Sequence, residues 1–513
     1  MELPVQPATT HAICSSLCQI LKPGFGPNGL KTMLCNSSGK IHITNCSCSI
    51  LASLALSHPI GTLISKSAQQ FHAQTGDGCS SFILILEAFF SQLRSLEASE
   101  LTGTTLALAK IQNLLLREEI LPALLDSELI KVGRGDDMML KLIRTSLEGR
   151  YPVMTSQHFA QLICKMLASS RDDLETKVVK VLNNFRSKVI PGVCVRITTP
   201  VPMATHDVSF ILMDFDPNEI LESAATIEAK EIGIFMKWER KAIAKWTERF
   251  KTLKLRLVLN TCRLSDSFRS RLNQEGIQVL NGVDESEAEL ITSAFNIHAL
   301  HSFPELDEFE ASKFIAFSPN VQNIHVNGRN KLFFETQSIS SLIICAPTEG
   351  QTKQLIYDLQ NALKVILMWL DHDHVIPANQ AVTISNKGVA MPGGGAFEIY
   401  MSSAFKDCAT KHIDDIHVSQ TLMFLHEAFL AIPGQLLINS YAPIKSLVHL
   451  KSKIAQFRNS AFVDGRDGRI KAATSSDGIV ESVALKVCMV ENVLQFMQQI
   501  LRLNSFLDVN AIK

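Results

Sequence analysis

The run Phe82-Ile83-Leu84-Ile85-Leu86-Glu87-Ala88-Phe89-Phe90 leaves almost no face that water could wet, so the chain has to bury it, and its length suits a core helix. Directly ahead stand seven small or polar residues, Thr75-Gly76-Asp77-Gly78-Cys79-Ser80-Ser81. The first turn of a helix has unpaired backbone N–H groups and the positive end of the helix dipole, and both attract anions. Gly76 and Gly78 let a ligand approach the backbone, Ser80 and Ser81 offer caps or donors, and Asp77 supplies the hard oxygen that Mg²⁺ prefers beside a triphosphate. The spacing predicts a phosphate cradle at the start of a buried helix. Taken by itself, Gly-Asp-Gly serves equally as a turn and cap.

Around this stretch the chain alternates helices with Gly-rich loops. Residues from about 10 to 21 read as a helix with Ile13, Leu17, Ile20 and Leu21 on one face, stopped by Lys22-Pro23-Gly24-Phe25-Gly26-Pro27-Asn28-Gly29. Leu30–Cys35, a turn at Asn36–Gly39 and the alternating Lys40–Thr44 read as a hairpin. Thr44-Asn45-Cys46-Ser47 then leads into a helix whose Ile50, Leu51, Leu54 and Ala55 keep helical spacing until His58-Pro59.

Composition narrows the class. In 513 residues, 46% hydrophobic and 19% charged content requires a globular chain with a large core, and a formal net charge of −1 argues against a nucleic-acid protein held by bulk charge. Met-Glu-Leu-Pro-Val-Gln lacks a basic region followed by an apolar one, and no window approaches the ~18 uninterrupted apolar residues of a membrane span. A cytoplasmic protein without membrane insertion is expected. Of twelve cysteines, Cys14, Cys18, Cys35, Cys46, Cys48 and Cys79 fall early in the chain, and Cys46-Ser47-Cys48 could ligate a soft metal. Reduced thiols packed as small apolar residues are the plainer reading, with no zinc expected.

The order Gly26-Pro27-Asn28-Gly29, hairpin, Thr44-Asn45, Ser49-Ile50-Leu51, His58-Pro59 and Gly76-Asp77-Gly78-Cys79-Ser80-Ser81 resembles the N-terminal half of the equatorial domain of group II chaperonins. Met391-Pro392-Gly393-Gly394-Gly395-Ala396-Phe397-Glu398 is similar to that family's Pro-Gly-Gly-Gly-Ala-x-Glu, and Glu427–Pro433 to its Ala-Leu-x-x-Ile-Pro helix end. Asp477–Ser482 with Lys486 resembles its Gly-Val-x-Glu-Pro-x-x-Val-Lys, and Ile500–Leu503 its closing helix.

The resemblance implies a multidomain α+β chaperonin fold: a mainly helical equatorial domain (1–125 and 390–513), an intermediate hinge domain (126–190 and 344–389) and an α/β apical domain (191–343). Within the apical stretch, Phe210–Phe215 and Leu253–Leu259 read as strands, and Ser265–Glu275 and Asp284–Phe295 as helices. Ile227–Lys251 is an amphipathic helix candidate, standing either as a lid protrusion or packed on its own domain. The polar stretch 371–388 reads as a surface loop, and chaperonin-like proteins associated with Bardet–Biedl syndrome carry extra sequence in this neighbourhood.

The resemblance also assigns a nucleotide site. Gly26, Pro27, Gly29, Gly76, Gly78, Cys79, Ser80, Ser81, Gly393, Gly394 and Gly395 would contact ATP or ADP, Asp77 would hold Mg²⁺, and Glu481 would accept from the ribose. Two acidic positions are lost: the aspartate of the family's Thr-Asn-Asp-Gly is Cys46, and the water-activating aspartate aligns with Asn361. Asparagine can hydrogen-bond a water but cannot take its proton. Asp358, three residues earlier on roughly the same helical face, is the alternative occupant of that position.

The expectation is a chaperonin-like protein resembling the Bardet–Biedl group, at the ciliary base in the cytoplasm, that assists assembly of a ciliary complex and binds nucleotide weakly with little or no hydrolysis. An active ATP-hydrolysing foldase subunit and a Cys-rich metal or redox sensor are the alternatives. Expected partners are protein clients and other chaperonin-like or group II chaperonin subunits. Because both chain ends look short of a full pairing strand, and Pro4 and Pro7 each remove a ladder donor, a stable homomeric double ring is not expected.

Overall fold

The computed structural model describes residues 2–4, 6–35, 41–94, 96–132, 135–169, 178–182, 187–197, 204–216, 232–308, 310–326, 329–346, 348–370, 388–442, 446–457, 460–473, 478–503 and 505–507. The chain divides into two units, Met1–Gln161 with Tyr357–Lys513, and Leu162–Ile356.

The first unit opens with strand β1 (Glu2–Pro4), helix α1 (Pro7–Leu21), the hairpin β2 (Thr32–Cys35) and β3 (Ile41–Thr44), and helices α2 (Ser47–Ser53), α3 (Pro59–Thr75), α4 (Cys79–Leu93) and α5 (Ala98–Lys110). A π-helical segment, Ile111–Ile120, continues from α5 into α6 (Leu121–Leu125), followed by β4 (Lys131–Val132), α7 (Asp136–Leu147) and α8 (Val153–Ser169), whose last residues, from Leu162, belong to the second unit. The apolar run forms α4 as expected, with Phe82, Ile83, Leu84, Ile85, Leu86, Phe89 and Phe90 all buried in the largest core. The hairpin pairs Thr32 with Thr44 and Cys35 with Ile41, and its turn lies outside the described residues.

Two local expectations are corrected. The buried stripe of α1 is Thr10, Cys14, Leu17, Cys18 and Leu21, while Ile20 is exposed: the two cysteines act as small core residues, and Cys18 Sγ donates to the Ile83 carbonyl at 3.6 Å. α2 stops at Ser53 because Leu54 turns extended, and His58 then caps α3, its Nδ1 accepting from the Ile60 amide at 3.2 Å.

The second unit is α/β. Its strands are β5 (Val178–Leu182), β6 (Lys188–Arg196), β7 (Ala204–Met213), β8 (Leu257–Asn260), β9 (Gln278–Asn281), β10 (Ile315–Val326) and β11 (Arg329–Ala346). They form one sheet in the order β5-β11-β10-β7-β8-β9, with β6 also on β11. Helix α9 (Ile232–Thr252) precedes β8, α10 (Asp266–Gln274) lies between β8 and β9, and α11 (Glu285–Phe295) follows β9; α12 (Glu305–Glu308) comes before β10. β7, β8 and β9 run parallel, as helical crossovers demand. Residues 227–231 of the proposed protrusion lie outside the described residues. The C-terminal half of α9 packs on its own unit, with Ile243, Trp246 and Phe250 buried and Trp246 stacked on Phe303 at 4.4 Å between ring centres.

Helix α13 (Glu349–Leu370) leads back to the first unit, and the stretch 371–387 lies outside the described residues. There follow β12 (Val389–Pro392), α14 (Ala396–Lys411), α15 (Ile416–Phe429), α16 (Ala431–Asn439), α17 (Leu447–Gln456), β13 (Ala461–Val463), β14 (Ile470–Ala472), β15 (Val480–Ser482), α18 (Val483–Leu501) and β16 (Ser505–Leu507). The Ile432-Pro433 pair is not a helix end: Pro433 sits in the first turn of α16, where a missing N–H costs nothing. Ile416–Asn439 has the length and apolarity of a membrane span, yet 61% of its most apolar window is buried inside the protein, as in a core helix. β12 lies between β15 and β4, with Met391 opposite Glu481. The ends pair as two short strands of three residues each, with Glu2 opposite Leu507 and Pro4 opposite Ser505.

Phe89→Ala should cost about 3–5 kcal/mol in the unfolding of the first unit, the range for truncating a fully buried phenylalanine. Chemical denaturation of the full chain checks it, and an unchanged midpoint would remove α4 from the centre of the core.

Candidate functional site

Three loops and two helix starts enclose a cavity of about 220 Å³ in the first unit. Its lining includes Gly26 and Pro27 from the loop after α1, Cys46, Ser47 and Cys48 at the start of α2, and Asp77, Gly78, Cys79, Ser80 and Ser81 at the start of α4. Gly394, Gly395, Glu481, Thr145 and Arg150 complete it from β12, β15 and the α7–α8 region. Segments far apart in the chain are thus brought to one place. Gly29, Gly76, Gly393 and Asn361 are not part of this lining.

The cradle is held by backbone geometry. Gly76 ends α3 at φ 82° and Gly78 begins α4 at φ 90°, the left-handed region that favours glycine. A Cβ on Gly76 would stand 2.3 Å from the Asn361 carbonyl oxygen, so α13 packs against this turn with no room for a side chain. No side chain caps α4, which leaves its first amides facing the cavity; Ser80 instead pairs with Ser47 through their hydroxyls. Asp77 Oδ1 accepts from the Gly78 amide at 2.8 Å. An uncapped helix start, a carboxylate beside it and glycine loops opposite make a donor set that fits a Mg²⁺-bound polyphosphate: the amides would hold phosphate oxygens and Asp77 the cation.

The remaining carboxylates around the cavity are committed. Asp358, the alternative candidate for the water-activating position, is 2% exposed, bridges Arg150 at 2.7 Å and accepts from the Tyr151 hydroxyl at 2.7 Å. Burial disfavours charge on Arg150, but Asp358, with Cys46 and Asp77 adding to it, outweighs burial and holds the guanidinium above its ordinary range. Glu148 accepts from Arg466 Nε at 2.6 Å. Glu481 lies 2.9 Å from Lys486 Nζ, which also meets the fully buried Glu398 at 2.7 Å. Burial pushes the Glu481 carboxyl up, Lys486 pulls it down, and Glu398 pushes it up again. Asn361 is 3% exposed and stands behind the Gly76 turn. Cys46 starts α2 with no side-chain cap bond, and burial raises the neighbouring Cys48 and Cys79 thiols, so thiols rather than thiolates are expected there.

The sequence reading missed His72 and Arg150. His72, one turn before the cradle on α3, is buried, lines the cavity, stacks on Tyr357 at 6.2 Å, and neither ring nitrogen has a hydrogen-bond partner among the described residues. A lone histidine on an apolar helix face gives no signal in sequence. Arg150 lies outside any regular element, three residues beyond Leu147, where periodicity is silent.

The model of the TCP-1/cpn60 chaperonin family matches residues 17–509. Thermosome subunit alpha of Halobacterium salinarum is 24% identical over 512 residues, spanning 95% of this chain and 86% of that protein. Thermosome subunit 1 of Haloferax volcanii is 23% identical with the same coverage, 95% and 86%. Among solved structures, a group III chaperonin in the open state superposes with a TM-score of 0.72 at 18% identity, over 97% of this chain and 98% of its own, a likeness of fold.

Burial lowers His72 to about 4 from an ordinary value of 6.5, with Asp77 opposing and Arg150 and Lys364 reinforcing the shift. The unfolded chain therefore binds the proton first as pH falls. The stability this neutral imidazole carries is complete above about 6.5 and drains away toward 4. His72→Leu should flatten that limb of the stability profile, read as the denaturation midpoint against pH. An acid limb of unchanged slope in the variant would contradict it.

Proposed function

The chain belongs to the TCP-1/cpn60 chaperonin family, and from that premise we propose a chaperonin-like protein that binds adenine nucleotide weakly with Mg²⁺, hydrolyses it slowly or not at all, and holds client proteins during assembly of a multisubunit complex. The observation that carries this is the state of the carboxylates. Cleaving a γ-phosphate needs a group that orients or deprotonates the attacking water, worth about 10²–10⁴ in rate. Asp358 is spent on Arg150 and Tyr151, Glu148 on Arg466 and Glu481 on Lys486, while the positions aligned with the family's acidic residues hold a thiol, Cys46, and a buried amide, Asn361. Bound Mg²⁺ would supply charge neutralisation along the phosphates, and the protein's own part would be to cradle them.

The finer reading places the protein with the Bardet–Biedl-associated chaperonin-like proteins, acting on a ciliary assembly from the cytoplasm at the ciliary base. The two replaced acidic positions and the added polar stretch 371–388 support it. The three-domain division, equatorial, intermediate and apical, belongs to the same reading. A second reading, an active ring subunit, is favoured by the surviving cradle and by the similarity to thermosome subunits.

For assembly, we infer an exposed apolar edge that other subunits cover. Met33, Ile41 and Ile43 on the hairpin are largely exposed, and the β1–β16 pair offers ladders of only three residues per strand as a complement. Pairing with other chaperonin-like or ring-forming subunits is the consequence, rather than a stable homomeric double ring.

Calorimetric titration with ATP should show weak, Mg²⁺-dependent binding that Asp77→Ala abolishes. Asn361→Asp alone should restore little turnover, because the Cys46 position is lost too and both groups would serve one transition state. Strong hydrolysis in the unmodified chain, or large recovery from the single change, would favour the active-subunit reading. Size-exclusion chromatography with light scattering on the isolated protein should give a monomer or small oligomer, and a homogeneous particle of many subunits would overturn the assembly claim.

A further inference from the structure

Away from the cradle, the π-helical segment and the end of α14 bring together Glu119, Cys408 and His412, whose potential ligand atoms all lie within 4.8 Å of one another. Cys408 and His412 stand one helical turn apart, and the His412 amide still donates to the Cys408 carbonyl at 3.1 Å, so both side chains share one face. His412 Nε2 lies 3.4 Å from Glu119 Oε1. With metal–nitrogen and metal–oxygen bonds of about 2.0–2.2 Å, a tetrahedral Zn²⁺ ion separates such a pair by about 3.4 Å.

Two observations point beyond a simple ion pair. His412 Nε2 is buried and makes no hydrogen bond among the described residues, although the rest of its side chain reaches solvent. Beside the cluster is a cavity of about 280 Å³ lined by Glu119, Cys408, Asp407, Tyr400 and Lys411, among others, which leaves room for a further ligand. Lys411 Nζ, 3.8 Å from Glu119, is the competing cation, but its side chain is 68% exposed and free to swing into water.

We propose that Glu119, Cys408 and His412 form a binding site for Zn²⁺ or a similar borderline-soft divalent cation, with the fourth position open to the adjacent cavity. The mixed thiol, imidazole and carboxylate set selects against Mg²⁺ and Ca²⁺, which take oxygen ligands. On binding, the Cys408 thiol exchanges its proton for the metal and releases that proton to solvent. The ion would pin the wide turns of the π-helical segment to the end of α14. The site lies apart from the nucleotide cradle and differs from the sequence-based candidate, Cys46-Ser47-Cys48.

Co²⁺ titrated into the full-length, chelator-stripped protein tests the proposal. One equivalent should produce a thiolate-to-cobalt charge-transfer band with tetrahedral visible bands, and Zn²⁺ should displace both. Cys408→Ser should abolish the charge-transfer band, and Cys35→Ser, at an exposed thiol, should leave it intact. His412→Ala, at a partly exposed position and checked for native circular dichroism, should weaken Co²⁺ binding at least about 10-fold, since even outer-shell partners are worth about 10–100-fold. Absence of the band at one equivalent overturns the proposal, as does its survival in Cys408→Ser or unchanged affinity in His412→Ala.

Discussion

The burial of α4 fixes the position of everything that faces the cavity. Its side chains cannot be turned toward water, so the helix has one stable place in the first unit, and its N-terminus has one direction to point. Gly78 begins the helix in a left-handed conformation against Phe71, and Gly76 turns the chain where α13 leaves no space for a side chain. The free amides and Asp77 follow from that geometry. The second half of the unit meets them through β12, whose pairing with β15 sets Gly393–Gly395 beside Glu481.

Charge around the cavity is arranged in closed groups. Arg150 with Asp358, and Lys486 with Glu398 and Glu481, are buried groups in which the opposite charges offset part of one another's desolvation cost. Such groups are rigid and hold the walls in place. They also leave no carboxylate except Asp77 available to a ligand among those considered for the site, and Asp77 sits at the start of α4, beside the Gly78 amide. Binding without efficient cleavage is the function we propose from this arrangement.

Much of this was legible in the sequence where a residue's role is set by its neighbours in the chain. The apolar run, the glycine loops, the hairpin and the α/β alternation all declare themselves through periodicity and turn chemistry. What sequence could not show depends on distant partners. Asp358 reads as a spare base until Arg150 and Tyr151 close on it, and Ser80 reads as a cap until Ser47 takes its hydroxyl. His72 carries no pattern at all, and the face of α1 that buries Cys14 and Cys18 and leaves Ile20 exposed is set by α4, which lies far along the chain. The Glu119, Cys408 and His412 cluster was invisible for the same reason.

The central claim is that the cradle holds nucleotide without a free carboxylate to activate the attacking water. Its most direct test follows the fate of the bound molecule: protein in excess over radiolabelled ATP and Mg²⁺, quenched at intervals, with the nucleotide on the protein identified. Nearly all of it should be recovered as ATP over many minutes. Conversion to ADP and phosphate within seconds would contradict the account.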